Sequence, residues 1–197
     1  MTSAQGARGR FITFEGGEGC GKSTQVRRLK AALEARGIEV VLTREPGGTP
    51  LAEAVRRLLK EPTGDSPCDR SELLLFLAAR AQLVRTVIRP ALASGKWVVS
   101  DRFSDSTLAY QGYGRGLSRA FIAAANDFAC EGLRPDLTLL LDVDPAVAGR
   151  GLRLWGGGPA GISLSLGLER QGQAVGDHHL VVAVGQGVHA DVGEPDD

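Results

Sequence analysis

The run Gly16-Gly17-Glu18-Gly19-Cys20-Gly21-Lys22-Ser23 constrains this chain more than any other feature. It matches the phosphate-loop pattern G-x-x-x-x-G-K-[ST] at every fixed position. Glycines let a backbone turn so that several N–H groups point at one centre, which suits phosphate oxygens. The helix that follows offers the positive end of its dipole to the same anion. Lys22 can neutralise β- and γ-phosphates, and the Ser23 hydroxyl, followed by Thr24, can hold Mg²⁺. A chain of this length shows the pattern by accident roughly once in a hundred. Here it follows an apolar run, Phe11-Ile12-Thr13-Phe14, and precedes a stretch with Val26, Leu29 and Leu33 on one helical face. Strand, loop and helix in that order are the context the pattern requires.

The alternation continues. Gly37 closes the first helix, and Val40-Val41-Leu42 reads as a second strand. Thr49-Pro50 reads as a cap and first helical residue, opening a helix with Leu51, Val55, Leu58 and Leu59 inward. Residues 72–93 read as one long apolar helix, bent near Pro90 and closed by Gly95. Trp97-Val98-Val99-Ser100 reads as a buried strand ending at Asp101. Residues 118–130 read as a helix with Phe121, Ile122, Ala125 and Phe128 inward, and residues 137–141 as a fourth strand. Strands alternating with helices imply an α/β fold, a parallel sheet with helices on both faces. Ligands in such folds bind beyond the carboxyl ends of the strands.

With 23 basic and 23 acidic residues the formal charge is zero, so no global field for nucleic acid is present. Cys20, Cys68 and Cys130 are far apart, which suggests neither a disulfide framework nor a zinc site and fits a reducing cytoplasm. Residues 1–10 lack the apolar segment of a signal peptide, and no apolar run reaches membrane-spanning length. A cytoplasmic protein acting on a small molecule, without nucleic acid or membrane, is expected. A homodimer is neither required nor excluded.

Two acidic strand ends compete as metal ligands. Asp101, closing a buried strand, can reach Mg²⁺ over the phosphate loop, and Arg102 beside it can clamp a phosphate. The run Leu139-Leu140-Leu141-Asp142-Val143-Asp144 offers the alternative. Asp144 reads better as a helix cap before Pro145; Asp101 remains the better metal candidate, and Asp142 is left open. On residues alone, Phe76 reads as core in an apolar helix and Tyr110 as a packing residue with a wet hydroxyl. Arg80, amid Leu, Phe and Ala, demands a buried partner.

Four motifs in order resemble bacterial thymidylate kinases. They are Phe14-Glu15-Gly16 through Thr24-Gln25; Thr43-Arg44-Glu45-Pro46-Gly47-Gly48-Thr49-Pro50; Leu74-Leu75-Phe76-Leu77-Ala78-Ala79-Arg80-Ala81-Gln82; and Asp101-Arg102-Phe103 with Ser106-Thr107-Leu108-Ala109-Tyr110-Gln111-Gly112. The resemblance implies a nucleoside-monophosphate-kinase fold and transfer of phosphate from ATP, with Mg²⁺, to dTMP. It also implies roles. Phe76 stacks on thymine and Arg80 bonds its carbonyl edge. Arg102 grips the acceptor phosphate. Thr107 and Gln111 lie near the base, with Tyr110 under the sugar. Glu18 organises the metal and acceptor end, and Arg44 and Glu45 border the acceptor site. A kinase for another nucleotide or deoxynucleoside, and a nucleotide-binding protein with little catalysis, remain alternatives. A GTPase is disfavoured because no Asn-Lys-x-Asp motif occurs.

The organisation expected is a kinase core over residues 1–148 and a divergent tail over 149–197. The tail holds 12 of the 27 glycines, no lysine, three arginines and all three histidines. Leu180-Val181-Val182-Ala183-Val184 is a candidate fifth strand. The composition is poorly suited to offset the entropy of ordering, so poor order is expected. The resemblance implies an arginine-bearing lid and a terminal helix here, yet only Arg150 and Arg153 stand near the lid position. A change of reading frame would produce such a break. The DNA tests this: the idea fails if neither alternative frame encodes a lid and terminal helix. Low turnover is the corresponding expectation.

Overall fold

The computed structural model describes residues 8–61, 65–142 and 181–185. Five parallel strands form one sheet: β1 (Phe11–Gly16), β2 (Val40–Arg44), β3 (Trp97–Asp101), β4 (Leu137–Asp142) and β5 (Val181–Gly185). Their spatial order is β2-β3-β1-β4-β5. The candidate fifth strand therefore pairs with β4, Leu139 opposite Val182.

The first strand is central and buried along Phe11 to Glu15 because both of its faces are covered. Its period of two divides the core. Ile12 and Phe14 join Val26 and Leu33 of helix α1 (Lys22–Glu34). Phe11 joins Leu83, Ile88, Val98 and Phe103 on the other face. Thr43, Ser100, Thr13 and Thr138 occupy one register line across β2, β3, β1 and β4, and all four are buried. Thr13 and Thr138 hydroxyls are 3.0 Å apart.

Helix α2 (Pro50–Lys60) starts as its sequence indicates: the Thr49 hydroxyl accepts from the Ala52 N–H at 3.1 Å. Its inner stripe is Ala52, Val55 and Leu59, packed on Ala79 and Leu75. Leu51 and Leu58 are instead about half exposed. Small alanines let two helices meet along a narrow seam, so residues flanking it stay outside.

The long helix runs unbroken from Asp69 to Ala93 but is not α throughout. Helix α3 (Asp69–Leu83) widens into a π segment (Val84–Ile88) before the short α4 (Arg89–Ala93). Pro90 offers no N–H to residue 86, and the π segment stands just ahead of it. A short α5 (Ser104–Thr107) runs into a second π segment, Leu108–Gly114. Helix α6 (Arg119–Cys130) is rotated from its expected setting. Ile122, Asn126, Ala129 and Cys130 face inward, while Phe121 and Phe128 are 56% and 87% exposed. Asn126 takes an inward position because its side-chain oxygen accepts from Arg80 at 2.5 Å. A polar residue on the inner stripe disguised the face. Asp144, Arg150, Arg153, the boundary at 148–149 and, β5 apart, the tail lie outside the described residues.

Candidate functional site

The phosphate loop leaves the carboxyl end of β1 and enters α1. Gly16 sits at φ +136°, and a Cβ there would lie 2.5 Å from the Leu141 carbonyl oxygen. Gly21, capping α1, sits at φ +93°. Neither position tolerates a side chain without strain. Lys22 is buried within the loop, donating to the carbonyls of Gly16 at 3.0 Å and Gly17 at 2.5 Å. Its Nζ also lies 3.5 Å from the Cys20 sulfur.

Pairing of β1 with β3 sets Phe14 opposite Asp101. That register brings the loop to the β3 end, where the Ser23 hydroxyl donates to Asp101 Oδ2 at 3.0 Å. Asp142 is exposed at the end of β4 and has no side-chain partner among the described residues. The geometry thus favours Asp101 of the two acidic strand ends.

Arg102 holds a left-handed backbone at φ 75°, uncommon for a residue with a side chain. Its Nη1 donates to the Gly16 carbonyl and to the Ser106 hydroxyl, both at 3.1 Å. Its guanidinium carbon stands 5.3 Å from the Tyr110 ring centroid. One side chain therefore joins the phosphate loop to a neighbouring cleft.

That cleft has a volume of about 510 Å³ and is lined by Glu18, Glu45, Phe76, Arg80, Arg102, Thr107, Tyr110 and Gln111, among others. The size suits a small-molecule ligand. Phe76 is half-buried on its wall rather than in a core cluster. Tyr110 and Gln111 come from the second π segment, a distortion frequent at functional sites. Arg44 is exposed, donates to both carboxylate oxygens of Glu53 at 3.1 Å, and is not part of the cleft lining.

Arg80 is the largest side chain that is fully buried among the described residues. Its Nε donates to Glu45 Oε2 at 2.9 Å, and its Nη2 donates to the same oxygen, to the Phe103 carbonyl and to the Thr107 hydroxyl. Burial works against the Arg80 charge, but the Glu45 carboxylate outweighs it and holds the guanidinium above its ordinary value. Burial also pushes the Glu45 carboxyl up, against the pull of Arg80. The partner that a buried arginine demands is therefore Glu45.

Two further acidic residues were not singled out from the sequence. Glu72 lines the cleft on α3. Glu15, buried on β1, accepts from the Phe103 N–H at 2.8 Å and from the Ser106 hydroxyl at 2.6 Å, fastening the loop that carries Arg102. Period-two alternation from Phe11 and Thr13 places Glu15 on the cleft side, and that was the signal available. Burial, the largest influence, raises the Glu15 carboxyl from 4.5 to about 7. A carboxyl that binds its proton more tightly in the folded chain supports stability fully below its unfolded pKa, and that support is lost as pH rises towards 7. A shift of this size corresponds to about 3 kcal/mol. Denaturant unfolding at about pH 5 and about pH 8 should show the chain losing more stability between them than Glu15→Gln does. Equal losses would exclude Glu15 as the cause.

Fold and cleft together define a P-loop, nucleoside-monophosphate-kinase-like α/β protein. The family model for thymidylate kinase matches residues 14–154. The thymidylate kinase of Chromohalobacter salexigens is 60% identical over 143 residues, covering 72% of this chain and 68% of that protein. That of Magnetococcus marinus is 56% identical over 140 residues, covering 71% of this chain and 67% of its own. The crystal structure of thymidylate kinase from Ehrlichia chaffeensis superposes with a TM-score of 0.65 at 44% identity, over 74% of this chain and 78% of that one. The chain belongs to the thymidylate kinase family. The matched stretch spans about two thirds of these two relatives' length. Neither alternative left open by the residues is favoured by these matches. Among the described residues, no helix is long and apolar enough to cross a membrane.

Proposed function

We propose that this chain transfers the γ-phosphoryl group of ATP to dTMP, giving dTDP for dTTP synthesis. The observation that carries the reading is the position of Arg102 between the phosphate loop and the cleft. ATP sits on the loop formed by Gly16, Gly17, Glu18, Gly19, Cys20, Gly21, Lys22, Ser23 and Thr24. The monophosphate occupies the cleft, its base against Phe76 and its phosphate at Arg102. Glu18, at the cleft wall beside the loop, lies where acceptor and donor meet.

The Ser23 hydroxyl and Asp101 carboxylate, 3.0 Å apart, are oxygen donors of the kind a hard divalent cation takes. They fit Mg²⁺, which would neutralise charge on the donor phosphates when bound. The protein's own part is positional. Lys22 leaves the Gly16 and Gly17 carbonyls for the donor phosphates. Arg102 orients the acceptor oxygen.

A coupled assay with dTMP, dUMP, dAMP and thymidine tests the reading. Turnover with dTMP well above the others is the expected result. Binding of ATP and dTMP without turnover would support the binding-only alternative. The rate depends further on residues 149–197, which carry too few cations for an ordinary lid. Grafting an arginine-bearing lid and terminal helix from a bacterial relative should raise turnover by orders of magnitude. An ungrafted rate of roughly 1–100 per second would instead make Arg150 and Arg153 the leading lid candidates.

A further inference from the structure

Gln111 is buried in the cleft wall, and its side-chain Nε2 donates to Glu72 Oε1 at 2.7 Å. Glu72 is pinned in turn by Arg115, whose Nη2 donates to Oε2 at 3.1 Å. Arg115 also approaches Asp69, at 3.6 Å. A carboxylate only accepts hydrogen bonds, whereas an amide has one accepting end and one donating end. Glu72 therefore settles which end of the Gln111 amide turns away from the ligand. The NH₂ group faces Glu72, and Oε1 is left without a protein donor among the described residues. Gln111 lines the cleft, and Oε1 is the end of its amide left for a ligand there.

A fixed acceptor in a cleft that takes a base discriminates between pyrimidines. Thymine and uracil carry an N–H donor between two carbonyls. Cytosine carries an acceptor nitrogen at the same ring position and an amino group beside it. We propose that Glu72 is a specificity-setting positioning residue: by locking the Gln111 amide, it presents Oε1 to the ring N–H of an imide base and excludes cytosine. This rests on the reading that the cleft takes a pyrimidine monophosphate. The lock requires no contact between Glu72 and the ligand. It acts by leaving a mismatched base with two acceptors face to face.

Glu72→Gln tests it, because glutamine keeps the shape but both donates and accepts, so the Gln111 amide can turn over. Equilibrium binding of dTMP, dCMP and ATP would be measured on the full chain, with thermal melting as the check on folding. The wild-type chain should bind dTMP far more tightly than dCMP. In Glu72→Gln the dTMP:dCMP preference should fall by about tenfold or more, with ATP binding and melting temperature unchanged. Gln111→Leu should collapse the preference in the same way. An unchanged preference in Glu72→Gln, or equal weakening for both pyrimidines, would overturn the proposal while leaving the kinase reading intact. Failure of the wild-type chain to bind dTMP would overturn the kinase reading itself, and this proposal with it.

Discussion

Replacing Lys22 by alanine is expected to lower phosphoryl transfer by at least about 10³-fold, with the fold intact. The lysine is buried among the carbonyls of the loop it serves, at 3.0 Å from Gly16 and 2.5 Å from Gly17. Those contacts keep the ammonium inside the loop, from which it turns to the donor phosphates. No other described lysine can replace it. Lys30 and Lys96 are paired with Glu34 and Glu39, and Lys60 lies on the α2 side of the cleft. Arg102 is committed to the acceptor side. Single-turnover measurement with ATP and dTMP checks the expectation, alongside thermal melting. A variant that transfers phosphate at the wild-type rate would remove Lys22 from the mechanism.

The second large effect concerns stability. Arg80→Ala should destabilise the fold by about 3–5 kcal/mol, the range for removing one partner of a buried ion pair. The guanidinium ties together α3, the turn after β2 through Glu45, α6 through Asn126, and the loop after β3 through the Phe103 carbonyl. Without it, Glu45 keeps a buried carboxyl with no cation, and the Asn126 and Thr107 side chains lose their donor. For a domain of this size the melting temperature should fall by roughly 10 °C. The base-reading role that the family resemblance implies would instead give a narrower outcome, dTMP binding weaker by about 1–3 kcal/mol with ATP spared. Arg80 does line the cleft, but most of its donors are already taken within the protein. The double variant Glu45→Gln, Arg80→Ala should recover part of the loss, because it removes the orphaned charge. An Arg80→Ala chain that melts within a degree or two of the original but binds dTMP poorly would show that base reading dominates.

Local pattern carried the fold a long way. Short apolar runs marked β1 to β4, since strands of a parallel sheet covered by helices are largely apolar. Thr49-Pro50 marked the start of α2, because capping chemistry involves neighbours in the chain. The phosphate loop was legible for the same reason: eight consecutive residues contain the whole device.

Which helix face turns inward was decided at a distance. In α6 the inner stripe passes through Asn126, a polar residue whose burial makes sense only once Arg80 of α3 is placed against it. Phe121 and Phe128 would have been the better guess from hydrophobicity alone, yet both lie outside. Glu15 shows the same dependence. Within β1 it is an isolated acid, and its purpose emerges only where the Phe103 N–H and Ser106 hydroxyl converge on it. Glu72 likewise sits 39 positions from Gln111, so no local pattern relates them.

Neighbouring residues specify the phosphate loop, the alternation that builds a parallel sheet, and the motifs that carry the family. Each is encoded by residues adjacent in the chain, where backbone geometry alone sets the outcome. The fold supplied the rest: the Ser23 contact of Asp101, Arg80 held by Glu45, Arg102 strained between loop and cleft, and Gln111 turned by Glu72. Those choices depend on strand register and helix rotation, and each is settled by a buried polar group finding its partner across the fold.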